Sequence, residues 1–400
     1  MKAVFSPSKA VGTVSAPPSK SMGHRLLIAA ALAEGESRIR NAAKSEDILA
    51  TVDCLTAMGA SLTWEGDSLL VKGFDPTKRR ASLSASCRES GSTLRFFLPI
   101  ALLSGAEATL FGAGRLMKRP MEIYAEICRE RGLAFSQTES CISVKGPLPA
   151  GEYTMPGNVS SQFVSGLLFA LPLTAGDSRI RLSTAVESRS YIDMTLSALS
   201  AFGVKAHWEG ERVLFIPGGQ RYRAADAVIE GDHSNAAFLS AFDLVGGNVA
   251  VTGLLADSLQ GDRVYKAAFA AIRSGEAFSI ADCPDLGPIL MAAAAVQGGG
   301  RLLDTARLRI KESDRGAAMA AELQKMGVTA VVEENAITVS GTLQAPALPL
   351  YGHNDHRIVM SLSVLLSALG GEIEGAEAVK KSYPDFFRDI AGLGIGVTVE

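Results

Sequence analysis

Residues 19–35 read SKSMGHRLLIAAALAEG: two serines, a lysine and an arginine, then an apolar run that ends at Gly35. Five further stretches follow the same plan. They are LRFFLPIALLSG up to Gly105, SQFVSGLLFALPLTAG up to Gly176, NAAFLSAFDLVG up to Gly246, ILMAAAAVQG up to Gly298 and RIVMSLSVLLSALG up to Gly370. Each run is apolar almost all round, which predicts a buried helix ending in glycine. The residues that open them are polar: Lys20-Ser21 with Arg25, Gly91-Ser92 with Arg95, Ser160-Ser161-Gln162, His233-Ser234-Asn235, Asp285, and Asp355-His356-Arg357. The first turn of a helix carries unpaired N–H groups and the positive end of the helix dipole. A buried helix opening on Ser, Lys or Arg is therefore a place to hold an anion. Several such starts on one chain point to a substrate with several negative charges.

A second series of glycine-ended helices is interleaved with the first, closing at Gly59, Gly132, Gly203, Gly275, Gly327 and Gly394. These are amphipathic; Ile48, Val52, Leu55 and Met58 share one face. Glycine after the last turn suits a left-handed cap. Alternating strand pairs follow most of them, as in ASLTWEGDSLLVKG and VTAVVEENAITVSG. The steps between glycines are 70, 71, 70, 52 and 72 in the first series and 73, 71, 72, 52 and 67 in the second. Both shorten between the fourth and fifth copies, so one deletion falls there. AFSIADCPDLG after Gly275 leaves no room for the strand pair. The expected fold is α/β (α+β): six βαβαββ units. Their period is too long for a solenoid, and closed groups of a few units per domain are favoured over an open stack. Helices that follow strands in such units share one polarity, so their starts should line one face.

A chain of 400 residues, 47% hydrophobic, can bury two or three domain cores. Its net charge of −3 and singly dispersed Lys and Arg argue against nucleic acid as a partner. The five cysteines have no metal or CxxC spacing and read as small buried residues in a reducing compartment. No signal-length apolar core and no run of 18 apolar residues is present, so no membrane partner and a cytoplasmic location are expected. His24, His233, His353 and His356 lack a convincing ligand set, and no metal is expected. GxxxxGK[ST] is absent, and so is GxGxxG after a strand.

Further polar clusters stand just ahead of second-series helices: Arg119, Ser188-Arg189-Ser190-Tyr191, Lys311-Glu312-Ser313-Asp314-Arg315 and Lys381-Ser382-Tyr383-Pro384-Asp385. Singly, each reads as a surface charge run. Likewise, Ser19, Ser90 and Ser160 could be plain N-caps beside solvated cations. The significance lies in the shared position within the repeat.

Taken in order, Pro-Ser-Lys-Ser with Arg25, Ser-Gly-Ser-x-x-Arg, Ser-Ser-Gln-Phe, Ile-Lys-Glu-Ser-Asp-Arg, Asp-His-Arg and Lys-Ser-Tyr-Pro-Asp resemble the EPSP synthase family of enolpyruvyl transferases over about residues 14–388. That resemblance implies a two-domain alpha-beta prism, three units per domain with pseudo-threefold symmetry, and an active site in a cleft that closes on substrate. The domains expected are 1–14 with 230–400, and 15–229, with hinges near 14–20 and 226–234. The fourth helix start, at His233, then falls in the hinge and has no anion role. The implied reaction moves the enolpyruvyl group of phosphoenolpyruvate to the 5-hydroxyl of shikimate 3-phosphate, through a tetrahedral intermediate and with no cofactor. By resemblance, Lys20, Ser21 and Arg25 hold the shikimate ring and carboxylate. Ser160, Ser161 and Ser188 hold the 3-phosphate, Gln162 and Tyr191 flank the ring, and Lys311 joins this set. Phosphoenolpyruvate is surrounded by Lys20, Gly91, Arg119, Gln162, Arg315, Arg357 and Lys381. Asp285 and Glu312 are the carboxylates at the reacting centre, assisted by Lys20. The two small molecules are the expected partners of a monomeric chain.

Two positions depart from the family pattern. Glu89 stands where Asn is usual, with Arg88 the adjacent cation expected to neutralise it, and Phe96 follows Arg95. The alternatives are the sister family that acts on UDP-N-acetylglucosamine, which carries a loop cysteine, and a non-catalytic binder of phosphorylated metabolites. Cys128 lies within an expected helix and suits the loop-cysteine role poorly. Retention of both Asp285 and Glu312 speaks against the binder.

Overall fold

The computed structural model describes residues 1–79 and 81–400. Two compact units divide the chain: Met1–Pro17 with Gly231–Glu400, and Pro18–Glu230. Among the described residues twelve α-helices form. In Pro18–Glu230 they are α1 (Lys20–Ala31), α2 (Glu46–Met58), α3 (Gly91–Ala101), α4 (Glu122–Glu130), α5 (Ser161–Ala170) and α6 (Arg189–Ala201). In the other unit they are α7 (His233–Ser240), α8 (Tyr265–Arg273), α9 (Gly287–Gln297), α10 (Arg315–Gln324), α11 (His356–Leu369) and α12 (Phe386–Gly392). No helix among the described residues is long and apolar enough to cross a membrane.

The odd-numbered helices α1, α3, α5, α7, α9 and α11 carry the six apolar runs, and they are buried almost along their length. Leu27, Phe97, Phe163, Leu290 and Leu365 are all fully enclosed. Close packing needs glycine at Gly166 of α5, where a Cβ would lie 2.4 Å from the Arg95 carbonyl oxygen of α3 and 2.3 Å from the Tyr124 hydroxyl.

One sheet pattern recurs. In the second repeat, Leu83–Ser86 runs parallel to Glu107–Phe111, which pairs antiparallel with Cys141–Lys145, which pairs antiparallel with Ala134–Gln137. The third and fifth repeats copy this order. In the first repeat the parallel partner of Glu36–Arg40 is Ala227–Val228, supplied from the far end of the unit, which closes three repeats into a ring. In the sixth, the N-terminal strand Lys2–Ser6 sits between Gly371–Glu374 and Gly396–Val399, antiparallel to both. The fourth repeat has a two-stranded sheet, Asn248–Thr252 parallel to Val11–Ser15, and it lacks the hairpin, in keeping with the short step in the sequence.

Helix ends are where expectation and structure part. The six second-series glycines all have positive φ, between 65° and 119°, as left-handed caps require. In the first series only Gly298 and Gly370 directly follow a helix. α7 gives way to a 3-10 turn (Ala241–Val245) before Gly246. In Pro18–Glu230 the apolar helices stop well short of their glycines. Ala33–Glu34 leaves α1 to pair with Tyr222–Arg223. The last carbonyl groups beyond α3 are taken by incoming chain, with Leu148 N donating to Leu102 O at 2.8 Å. Beyond α5, Pro172 lacks the N–H a helix needs and a 3-10 turn replaces it. Asp285 likewise lies in a 3-10 turn (Pro284–Leu286) that precedes α9, not in the helix itself.

Leu365 of α11 is fully enclosed, so Leu365→Ala should remove contacts that cannot be refilled. The expected cost is about 2–5 kcal/mol, read from denaturant unfolding of the purified chain. A loss under about 1 kcal/mol would show that this helix is not core.

Candidate active site

The unit containing Gly231–Glu400 concentrates its charges around one arginine. Arg315 is the first residue of α10, where the dipole disfavours a cation, so its place is set by its partners. Its side chain is 1% exposed. Nε donates to Asp355 Oδ2 at 2.8 Å, Nη1 to Asp285 Oδ1 at 2.8 Å, and Nη2 to Glu312 Oε2 at 2.7 Å and Asp355 Oδ1 at 3.3 Å. Burial works against the charge, but the pull of Asp355, Glu312 and Asp285 outweighs it and holds Arg315 above the ordinary arginine value. Asp355 is fully enclosed and is also the N-cap of α11: Oδ1 accepts from Arg357 N at 3.0 Å, and Oδ2 from Ser313 Oγ at 3.0 Å. Arg357, two residues into that cap, sends Nη2 to Asp285 Oδ2 at 2.7 Å. Lys311 approaches Asp285 Oδ1 at 3.3 Å, and burial pushes its ammonium down to about 8 despite that carboxylate. Lys381 Nζ donates to Asn354 O at 2.7 Å, on the bend just before Asp355. Asp285, Lys311, Glu312, Arg315 and Arg357 thus form one network, with Lys381 tied to its edge.

Pro18–Glu230 holds the rest. Ser19 caps α1, and Lys20, its first residue, pairs with Asp47 of α2 at 2.7 Å. Ser21 follows on the same turn. Arg25 is 2% exposed and spends three of its N–H groups on Thr195 Oγ1 (2.8 Å), Ser21 O (2.6 Å) and Tyr191 O (2.9 Å). Burial lowers it to about 10. Tyr191 is thereby joined to α1. Gln162, in the first turn of α5, is fixed at both ends of its amide: Oε1 accepts from Arg95 Nη1 at 2.7 Å and Nε2 donates to Ser92 Oγ at 2.9 Å. Gly91 opens α3 with the Arg119 guanidinium laid against it; a Cβ there would be 2.5 Å from Nη1. Ser160 caps α5 and Ser161 begins it. Ser188, with φ at 55°, precedes α6, and the loops that carry Ser160 and Ser188 are linked by Glu187 N to Gly157 O at 3.1 Å.

Four findings differ from or add to the sequence reading. Arg88 does not turn to Glu89: its guanidinium is engaged by Glu46 and Asp53 of α2, because those carboxylates face it across the helix. Asp355 was legible only as a helix cap; its grip on Arg315 spans 40 residues and has no local signal. Asp47 reads as an ordinary acidic first-turn residue, yet it is the counter-ion of Lys20. Thr195, the seat of Arg25, sits in an amphipathic helix like any other threonine. Cys128 is fully buried in α4 and burial raises its thiol to about 11, which suits a packing role.

Three-repeat α/β units with arginines and lysines set at buried helix starts define an enzyme class that handles small polyanions. A family model, EPSP synthase (3-phosphoshikimate 1-carboxyvinyltransferase), matches residues 4–390. A 3-phosphoshikimate 1-carboxyvinyltransferase of Clostridium kluyveri is 39% identical over 413 residues, covering 98% of this chain and 96% of the relative. One of Clostridium perfringens is 37% identical, covering 98% of each. Among solved structures, an EPSP synthase from Acinetobacter baumannii aligns with a TM-score of 0.79 at 24% identity over 100% of this chain and 99% of that one. The enolpyruvyl transferase NikO from Streptomyces tendae aligns at 0.74 and 16% identity, over 99% and 98%; both establish the shared fold. The chain belongs to the EPSP synthase family and is an enzyme.

Two outcomes follow from this geometry. Gly91→Ala would force the flexible Arg119 head aside without touching the core. The KM for phosphoenolpyruvate should rise by about tenfold while the thermal midpoint stays near the parent's; an unchanged KM would show that Arg119 is not a ligand. Lys311 is protonated below pH about 8, so its pair with Asp285 dissolves as pH rises through that value. The kcat/KM profile should fall there, and Lys311→Arg should move the fall to higher pH. A limb that stays put would assign it to another group.

Proposed function

We propose that this chain transfers the carboxyvinyl group of phosphoenolpyruvate to the 5-hydroxyl of shikimate 3-phosphate, with the work divided between its two units. Residues of Pro18–Glu230 take shikimate 3-phosphate: Ser160, Ser161 and Ser188 its phosphate, Lys20, Ser21 and Arg25 its hydroxyls and carboxylate, Gln162 and Tyr191 the faces of its ring. Arg119 beside Gly91, with Lys381, takes the phosphate of phosphoenolpyruvate. Arg315 and Arg357 take its carboxylate, for which a planar fork is the matching shape.

The chemistry needs two proton movements. The 5-oxygen attacks C2 of phosphoenolpyruvate and loses its proton, while the methylene carbon gains one, giving a tetrahedral adduct. That adduct then gives up a methyl proton and inorganic phosphate, which restores the vinyl group. Asp285 is assigned the hydroxyl proton and Glu312 the methylene proton, with Lys20 assisting. The observation that carries this reading is that both carboxylates converge on Arg315, within the network that also holds Arg357 and Lys311. Positioned cations supply the electrostatic stabilisation of the adduct. Arg315 Nη1 and Arg357 Nη2 are here engaged by Asp285. Arrival of a substrate carboxylate would exchange one anionic partner for another and leave Asp285 with Lys311, loosened for proton transfer.

The test is to mix the protein with both substrates and measure inorganic phosphate. The parent should release phosphate only when both are present. Asp285→Asn should lower the rate by about 10²–10⁴-fold, while calorimetric binding of phosphoenolpyruvate is kept. Near-parent turnover in that variant would contradict the assignment.

A further inference from the structure

Glu322 occupies a costly place. It lies in the last turns of α10, 2% exposed, where the negative end of the helix dipole opposes a carboxylate. Three donors compensate: Lys325 Nζ at 2.8 Å, Tyr351 N at 2.9 Å and His353 Nε2 at 2.8 Å. Lys325 Nζ also reaches Pro349 O at 3.1 Å. Burial pushes the Glu322 carboxyl up, but the bonds from His353, Lys325 and Tyr351 outweigh it and leave it below the ordinary value. Residues 349–353 are thus fastened to the C-terminal end of α10, while Arg315 at the other end of the same helix holds Asp355. Between the two fastenings the backbone is strained. His353 and Asn354 both have positive φ, 50° and 53°, and consecutive non-glycine residues persist there only when their surroundings over-determine them. This bend ends on Asp355, the cap from which Arg357 projects, and it turns Asn354 O to Lys381 Nζ.

We propose that Glu322 and His353 form a latch that holds the 353–354 bend and so positions Lys381 and Arg357 for phosphoenolpyruvate. Both are positioning residues: neither is assigned a contact with substrate. The inference rests on the function proposed above. It gives a reason for a buried acid at the wrong end of a helix, since the same carboxylate that destabilises α10 locally fixes the start of α11.

His353→Asn is the sharpest test. Asparagine tolerates the left-handed conformation, so the backbone is spared, but its side chain is too short to reach Glu322. Its KM for phosphoenolpyruvate should rise about tenfold, with the KM for shikimate 3-phosphate staying within about twofold. His353→Gln restores an Nε donor without the ring, and should return the KM for phosphoenolpyruvate most of the way to the parent's. Glu322→Gln, which cannot serve two cationic or imidazole donors as well as a carboxylate, should resemble His353→Asn. His353 is 28% exposed, so its variants keep the test open should Glu322→Gln misfold. The latch is overturned if His353→Asn leaves both KM values unchanged or raises them together, or if glutamine does no better than asparagine. A parent that releases no phosphate from the two substrates would overturn the functional reading itself, and the latch with it.

Discussion

One buried guanidinium organises the unit formed by Met1–Pro17 and Gly231–Glu400. Arg315 meets Asp285, Glu312 and Asp355 through four bonds, and each of these acids arrives from a different direction. Asp285 comes from the turn ahead of α9, Glu312 from the segment before α10, and Asp355 from the cap of α11. Such an arrangement is not a stabilising ornament. Buried ion pairs roughly break even against apolar packing, whereas removal of one partner leaves unpaired charges that cost several kcal/mol. What it secures is geometry. The three elements cannot shift relative to one another without breaking bonds to a guanidinium that is 1% exposed.

The repeat explains why the charges fall where they do. Each unit is built from three repeats of one sheet-and-helix module, the fourth repeat cut down to two strands, so the starts of its helices recur in equivalent places. Apolar helices fill the middle and the second-series helices flank them, and the charged residues of the apolar helices fall only in their first two turns. Arg25, Arg95, Arg315 and Arg357 all sit in such first turns or close to them, and all are nearly enclosed. The protein meets their demand for acceptors with side-chain carboxylates in one unit and mostly with carbonyls and hydroxyls in the other. The first set is charge-compensated within the chain; the second is suited to a substrate that brings its own negative charge.

How much of this was legible in the sequence depends on range. The six apolar runs, the amphipathic series with their glycine caps and the missing fourth hairpin are local patterns, and they appear as read. The clustering of Lys311, Glu312 and Arg315 is also local, since they share five residues. Where the apolar helices stop was not legible, because a neighbouring strand, an incoming N–H or a proline, and not the distant glycine, decides it at Ala31, Ala101 and Ala170. The partners of the cations were hidden for the same reason. Asp355 and Asp47 look like helix caps and first-turn acids, and only folding reveals that each answers a cation 40 or 27 residues away. Arg88 shows the converse error: adjacency to Glu89 suggested a pair, but the helix opposite supplied better-placed carboxylates.

The fork of Arg315, and not merely its charge, holds Asp285, Glu312 and Asp355 together. Arg315→Lys keeps the charge and discards the fork, since one ammonium cannot serve three carboxylates in a plane. Phosphate release by this variant from the two substrates should fall by at least about 100-fold at pH 7, with correct folding verified by circular dichroism. Turnover within about twofold of the parent would show that a point charge suffices and that the planar grip is not needed.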